Sequence, residues 1–494
     1  MPLIRRNCTL VPVFAASSFY RGKPGRLALS FKLPNAATDD KNMHTVLKPA
    51  LLAAAIAAGF LATQASHAEA PAAPVTLQRT VAPFSAIELS GPYEVVVRAQ
   101  GRQALTLSGE HKQLEGIETF VRGDTLVVRP VERIGFHFSW GKRRAPVVIH
   151  ITASQLKSLA MSGSGDVELA QLAGEGLSLK VDGPGDLQAA GAVRELTVRA
   201  SGSGDLDLHR LKAANVDLDM SGPGDVRLSG VGNLLTASVS GSGDLEADEL
   251  RLARLDARMR GPGGMKLSGS ARELRLEASG SGDFEACLLA AGAASTVQRG
   301  PGSACVAGDI RRFDAIVDGS GDLQASGLQA ASAVIRLGGP GSATLSGSIG
   351  ELSAEVSGSG DLEAGELDVK RATVKARGPG GIELARVSDT LDAELHGSGG
   401  LDADLDGKRL LLKMTGPGAA HLKGKVELVK ARLSGSGSLD GRDLTAARAD
   451  IAVTGPAHAR VNLTGQDGRR AERGNAGRGQ LLLVDRSGSR HAVQ

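Results

Sequence analysis

Residues 177–189 read LSLKVDGPGDLQA, and residues 196–208 read LTVRASGSGDLDL. In both stretches apolar and polar residues alternate on either side of a Gly-x-Gly-Asp turn, which is the period-two pattern of a half-buried strand. A period of 3.6 residues is missing, and a glycine every few positions disfavours helices. Each stretch therefore predicts a strand–turn–strand unit.

The turn motif recurs through most of the chain. Fifteen copies of Gly-Ser-Gly or Gly-Pro-Gly start between Gly163 and Gly435, always 19 or 20 residues apart, and a degenerate copy follows at Gly455. Ser-type and Pro-type copies alternate without exception. A Leu usually stands nine places after the start of a Ser-type copy, as at Leu172, and a Gly eight places after a Pro-type copy, as at Gly191. The repeat is therefore a pair of coils with different turns on their far side.

A coil of about 20 residues cannot bury its own apolar face, but stacked coils bury it against each other. The sequence predicts an all-β fold, a parallel β-helix or solenoid of 19–20-residue coils with two or three short strands per coil. Only 13 of the 494 residues are aromatic, whereas 66 are Gly and 41% are hydrophobic. A narrow lumen of thin aliphatic side chains explains the scarcity of rings. Three Cys exclude a disulfide scaffold and a multi-Cys metal site.

Eight copies of the motif carry Asp in the fourth position. An acidic ladder of this kind could bind calcium, because stacked carboxylates about 5 Å apart repel and a hard cation relieves that repulsion. The candidate ligands are Asp166, Asp186, Asp205, Asp225 and Asp244. We favour a turn, in which Asp caps nearby backbone N–H groups, because other copies have Gly, Ser or Ala in this position. No cofactor is expected.

No catalytic residue is predicted, because the sequence has no GxSxG, Walker A, GxGxxG or HExxH motif and no paired His at metal-ligand spacing. Carboxylates are plentiful, so a β-helix polysaccharide lyase or hydrolase remains an alternative. Cys287 and Cys305 lie about one coil apart but two places out of register. Two free or partly buried thiols are favoured over a disulfide.

Residues 81–160 hold six of the 13 aromatic residues and predict an N-terminal β cap. Gly123-Asp124 predicts a hairpin turn. The predicted strands are 85–90, 93–98, 104–108, 117–121, 125–129 and 147–152. A possible contact patch combines aromatic and basic side chains: Phe136, Phe138, Trp140, Lys142, Arg143 and Arg144. A cap loop with a solvated basic end is the favoured interpretation of that patch.

The chain begins with a predicted leader, residues 1–68. Met43 is the expected true start of a signal peptide, 43–68, with a 13-residue apolar run from Ala50 to Ala62 and cleavage after Ala68; a long n-region is the alternative. The leader carries eight Lys/Arg and two Asp, and subtracting its +6 from the formal +3 leaves about −3. No nucleic-acid partner and no transmembrane span after signal removal are therefore expected.

The remaining boundaries are a linker at 69–80, the repeat array at 161–464 and a flexible basic tail at 465–494. One further strand is predicted in the tail, at 481–484.

The stretch FSAIELSGPYEVVV (84–97), Ile117-Glu-Thr, DTLVV (124–128) and SGSGD (162–166) resemble the family called putative auto-transporter adhesin, head GIN domain. The resemblance implies a right-handed β-helix exported from a Gram-negative-type cell. Together these features predict an exported, non-enzymatic protein of the periplasm, outer-membrane surface or medium. It would bind an unknown protein or glycan partner, and its oligomeric state is unknown. A structural periplasmic rod is a further alternative.

Overall fold

The computed structural model describes residues 75–131 and 146–464, and the backbone of 480–485 and 490–493. The predicted leader and signal peptide lie outside the described residues. In the part of the chain that is described, no helix is long and apolar enough to cross a membrane.

Short elements open the described chain, and each predicted strand is matched to within two residues at either end. They are β1 (Val75–Arg79), β2 (Ala86–Leu89), β3 (Glu94–Arg98), β4 (Ala104–Gly109), α1 (His111–Leu114), β5 (Ile117–Arg122), β6 (Thr125–Pro130), β7 (Val148–Thr152) and β8 (Ser158–Met161). The hairpin turn between β5 and β6 is also found, with Gly123 at φ 64°.

The array follows, and most of its coils contain one continuous strand of 14 to 17 residues rather than two or three short ones. The strands are β9 (Val167–Val181), β10 (Leu187–Ala200), β11 (Leu206–Met220), β12 (Val226–Ser229), β13 (Leu234–Val239), β14 (Leu245–Met259), β15 (Met265–Ala278), β16 (Phe284–Ala291), β17 (Ala294–Gln298), β18 (Ala304–Val317), β19 (Leu323–Leu337), β20 (Ala343–Val356), β21 (Leu362–Ala376), β22 (Ile382–Leu395), β23 (Leu401–Met414), β24 (Ala419–Ser434), β25 (Ser438–Thr454) and β26 (His458–Leu463).

Successive coils pair in parallel, which confirms the predicted all-β parallel solenoid, with about 15 turns. Leu187 lies beside Val167 of the preceding coil and Leu206 of the following one. Every second residue of a strand points inward, so that these three side chains are all at most 3% exposed. One continuous core of stacked Leu, Val, Ala and Ile results.

The far corner of each coil explains why the repeat has two halves. In Ser-type coils the corner position is a buried Leu, such as Leu172 or Leu211. In Pro-type coils it is a Gly with positive φ, such as Gly191 at 141°, and a Cβ there would lie 2.2 Å from the carbonyl oxygen of Leu172. In most of the array a Leu corner is therefore stacked on a Gly corner, so that the two alternate. The coil of β22 is an exception, because its buried Val387 is stacked on Leu405.

The near turn is equally crowded. A Cβ on Gly202 would lie 2.0 Å from the carbonyl oxygen of Gly183, and one on Gly204 would lie 2.0 Å from that of Gly185. Consecutive Gly-x-Gly turns therefore stack backbone on backbone, and the motif is conserved along the chain because no side chain fits between them.

Two rings do enter the lumen. Phe284 and Phe313 are at most 1% exposed. Phe313 lies between Ala294 and Ala333 of the adjacent coils, and Phe284 lies between Met265 and Ala304. Small neighbours thus provide volume on both sides of Phe313 and on one side of Phe284.

The N-terminal segment belongs to the stack itself. Strand β2 pairs in parallel with β6 on one side and β8 on the other, and β3 lies between β7 and β9. Gly91 stacks under Gly163, so the column of turns starts one coil earlier than the first Gly-Ser-Gly motif. At this end of the stack β4 and β5 pair in antiparallel orientation with β7 and β6, and β1 pairs with β4. That these strands cap the stack stays a prediction.

At the other end, β27 (Gln480–Asp485) pairs in parallel with β26, and β28 (Arg490–Val493) pairs with β27 in antiparallel orientation. β27 covers the strand predicted at 481–484. These two strands lie within the segment for which the sequence predicts a flexible tail.

Candidate functional site

The Asp residues of the turn form a column along one edge of the array. In the Asp column (Asp166, Asp186, Asp205, Asp225, Asp244) each Oδ1 accepts the backbone N–H of the same position in the next coil, at 2.7 to 3.1 Å. One carboxylate oxygen per coil is thereby used in capping an amide. This geometry supports the turn interpretation, with the refinement that each Asp caps the following coil.

The later copies follow the same rule. Asp283, Asp322 and Asp361 accept the backbone N–H groups of Ser303, Ser342 and Gly381, at 2.7 to 2.9 Å. A Pro-type coil that lacks its Asp still has its own amide capped by the coil before it. Among the described residues no group of three or more His, Cys, Asp or Glu is arranged to hold a metal ion. Calcium binding by the Asp column stays a prediction.

The predicted contact patch, Phe136 to Arg144, falls outside the described residues, between β6 and β7.

The expectation of two thiols at Cys287 and Cys305 is wrong. The two residues form a disulfide with a Cα–Cα distance of 5.3 Å. Cys305 pairs with Glu285, so the two Cys stay two places out of register, and the ladder between β16 and β18 becomes irregular directly after Ala286, at Cys287. The bond therefore joins diagonal neighbours at a local bulge. Both Cys lie on the outer face of neighbouring coils.

A strip of titratable side chains crosses the last coils. In the acidic strip the residues Glu363, Glu383, Asp402, His421 and Asp440 follow one another in register on neighbouring strands. Four of them, Glu383, Asp402, His421 and Asp440, border an open recess of about 430 Å³. Arg442 donates hydrogen bonds to the Asp440 carboxylate, which lowers the pKa of Asp440. A histidine between two carboxylates is a possible acid–base centre.

A larger recess, of about 820 Å³, lies at the far corners of five successive coils, from the coil of β12 and β13 to that of β18. Its floor consists of small residues, because the corner between β16 and β17 reads Ala290-Ala-Gly-Ala293. Gly292 donates its N–H to the Ala271 carbonyl and accepts the N–H of Arg311, so it is stacked directly between the corners of the two adjacent coils.

Four arginines surround this floor, and we call the recess the arginine notch (Arg251, Arg272, Arg311, Arg312). Arg272 stands on one side of Gly292 and Arg311 on the other. Arg311 pairs with Asp309 at 3.2 Å. For Arg251, Arg272 and Arg312, the described part of the chain provides no carboxylate within ion-pair distance. All four side chains are exposed.

The sequence-based interpretation missed the arginine notch. The sequence does contain a signal for it. Arg272 and Arg311 lie 39 residues apart, which is one full repeat, and a run of four small residues lies midway between them. The signal appears only when the corners are aligned coil by coil, because the residues are far apart in the chain.

Several solved structures resemble this chain. A "putative adhesin" of Bacteroides fragilis is 19% identical, with 59% of this chain and 96% of that chain covered and a TM-score of 0.23. A "putative lipid binding protein" of Parabacteroides distasonis is 16% identical, with 75% and 96% covered and a TM-score of 0.20. A "putative adhesin" of Parabacteroides merdae is 17% identical, with 59% and 96% covered and a TM-score of 0.26. No curated protein matches the sequence.

One family model matches the chain repeatedly, over residues 83–268, 235–326, 266–345, 307–403 and 387–467. Its description is "Putative auto-transporter adhesin, head GIN domain". These ranges overlap to span 83–467, which is the whole solenoid from the N-terminal strands to the last coil. The chain therefore belongs to the putative auto-transporter adhesin, head GIN domain family.

Proposed function

We propose that the protein is an exported, non-enzymatic binding protein that presents the outer face of its solenoid to a glycan or protein surface. The observation that carries this proposal is the stacking itself. Each outward position of a coil is repeated about 4.8 Å further along in the next one, so that polar and charged side chains form long columns. Such columns suit an extended, repetitive ligand.

The family description and the adhesin titles of similar structures support a binding role. Export is supported by the apolar run between Ala50 and Ala62 and by the small residues that precede a cleavage position after Ala68. The periplasm, the outer-membrane surface and the medium are all compatible with that leader.

A binding assay with a chemically varied panel tests the proposal. Purified protein is immobilised, and polysaccharides and surface proteins of different charge are passed over it. We expect saturable retention of at least one class, which is lost after the protein is heat-denatured. If no class is retained above the level seen with the denatured protein, the proposed function is wrong.

One observation favours a second candidate, a carbohydrate-active enzyme. His421 lies between Asp402 and Asp440 in the acidic strip, and Lys423 and Arg442 border the same recess. A base flanked by cations is what proton abstraction beside a carboxylate group of a sugar acid requires. Chain-length analysis of an acidic polysaccharide after long incubation tests this candidate. Shortening that His421→Gln abolishes would establish it, and an unchanged length would exclude it for that polysaccharide.

A further inference from the structure

We propose that the arginine notch binds an acidic polysaccharide, with its guanidinium groups contacting carboxylate or sulfate groups on successive sugars. This inference deepens the proposed binding function and rests on it. It names the ligand class and the residues that would recognise it.

The charge of the notch points to an anionic ligand. Four guanidinium groups surround the floor, whereas Glu273 and Asp309 are the acids that line the recess. Apart from the Arg311–Asp309 pair, the guanidinium groups have no carboxylate close enough to satisfy them among the described residues. A guanidinium can hold a carboxylate or sulfate with two parallel hydrogen bonds, which lysine cannot do.

The shape of the notch points to a polymer. Arg272 and Arg311 flank Gly292 two coils apart, which corresponds to roughly 10 Å along the stack. A chain that carries a charge on repeating units can place a separate anionic group at each of these positions. The absence of side chains beyond Cβ on the floor leaves room for its rings.

An exposed apolar side chain on the strand that leads into the floor favours a sugar over a nucleic acid. Leu288, on the strand that leads into the floor, is 74% exposed and points outward like Ala290. Aliphatic side chains of this kind can cover the C–H face of a sugar ring. Single-stranded nucleic acids are usually held by aromatic stacking platforms, and no aromatic side chain lines the described recess.

The experiment measures the affinity of the purified full chain for oligogalacturonate by isothermal titration calorimetry at low ionic strength. The probes for comparison are galacturonic acid monomer, a neutral galactan oligosaccharide of equal length and a single-stranded DNA oligonucleotide. The test variant is the double change Arg272→Gln/Arg312→Gln. The matched control is Arg199→Gln/Arg336→Gln, which removes the same charge from exposed positions outside the notch. A second test variant, Ala290→Glu, adds a negative charge to the floor.

We expect the oligomer to bind at least tenfold more tightly than the monomer or the neutral chain. The test variant should weaken binding about tenfold or more, the control less than twofold, and Ala290→Glu should act like the test variant. Circular dichroism shows whether each variant keeps its strand content. If the double arginine variant does not fold, Ala290→Glu still tests the notch, because it keeps all four arginines. Binding that is equal in the test and control variants, or tighter for DNA than for oligogalacturonate, would overturn the inference. The proposed function would still stand in that case, since it fails only if the wild-type protein retains no ligand.

Discussion

The stacked Gly-x-Gly turns lead to a sharp prediction about a single methyl group. In Gly202→Ala the new Cβ would lie 2.0 Å from the carbonyl oxygen of Gly183, a backbone atom that cannot rotate away. Gly176→Ala is the matched control in the neighbouring strand. Its Cβ would find its nearest atom, the carbonyl oxygen of Glu195, at 3.9 Å.

The magnitude follows from what must move. Relief of the contact needs a shift of about 1 Å between two coils, and hydrogen bonds from the amides of Ser201 and Gly202 to the Val181 carbonyl, at 2.9 and 3.1 Å, would be broken or stretched. Each such bond contributes about 1 kcal/mol net, and overpacking costs a further ~1–3 kcal/mol. We expect Gly202→Ala to destabilise its coils by about 3 kcal/mol. Gly176→Ala should be neutral or stabilise by ~0.5 kcal/mol, because Ala restricts the unfolded chain.

Hydrogen exchange is the appropriate assay, because each coil contacts only its neighbours and the loss of stability should be local. A loss of 3 kcal/mol corresponds to exchange roughly a hundredfold faster, confined to about residues 177–225. Distant coils should exchange as in the wild type. If Gly202→Ala and Gly176→Ala differ by less than about 0.5 kcal/mol in these amides, the proposed reason for the glycine motif is wrong.

Three further predictions concern the Asp column, acid stability and the disulfide. Asp225→Ala should destabilise by about 1 kcal/mol in urea unfolding, since the N–H of Asp244 loses its acceptor at 2.8 Å, and chelation of calcium should leave the melting temperature unchanged. Hydrogen bonds from Lys180 and Ser201 lower the pKa of Asp182 from its ordinary value of 3.8. These bonds therefore stabilise the folded protein at a pH above 3.8, and the stabilisation is lost as the pH falls through the lowered pKa. Asp182→Asn should therefore lower the melting temperature at about pH 6 and have no effect near pH 2. Replacing both Cys287 and Cys305 by Ser should cost about 3 kcal/mol, as expected for an 18-residue separation.

Each of these has its own control. Asp219→Ala removes an exposed Asp from the outer face of β11 and should change stability by less than about 0.5 kcal/mol; an equal effect of Asp225→Ala would contradict the capping role. A calcium-dependent melting temperature would show that the Asp column binds an ion. A pH-independent effect of Asp182→Asn would contradict the role of its charge. Reaction of Cys287 with a thiol reagent in the unreduced protein would contradict the disulfide.

The regular part of the fold is predictable because its determinants are local. The Gly-x-Gly turn, the period-two strands on either side and the alternation of Leu172-type and Gly191-type corners are all visible within one repeat. The structure gives each a steric reason. At the near turn, backbone stacks directly on backbone, and at the far corner a Gly with positive φ leaves space for the Leu carbonyl of the preceding coil.

The features that were not predicted depend on which coils become neighbours. Strand β2 lies between β6 and β8, although β6 follows it in the chain by more than 30 residues. The bond between Cys287 and Cys305 joins two positions that are out of register, since Cys305 pairs with Glu285. The arginine notch depends on the corners of four successive coils, from β14 to β18. Each needs pairing information that is spread over one or more coils, and strand periodicity alone does not contain it.

The outer face of the solenoid is proposed to bind an extended ligand without cleaving it. The calorimetric time course of the wild-type protein with oligogalacturonate tests this claim most directly. Binding predicts that the heat signal returns to the baseline after every injection and that the isotherm saturates. A heat flow that persists after each injection and disappears in His421→Gln would contradict the claim, because it would show that the solenoid is an enzyme.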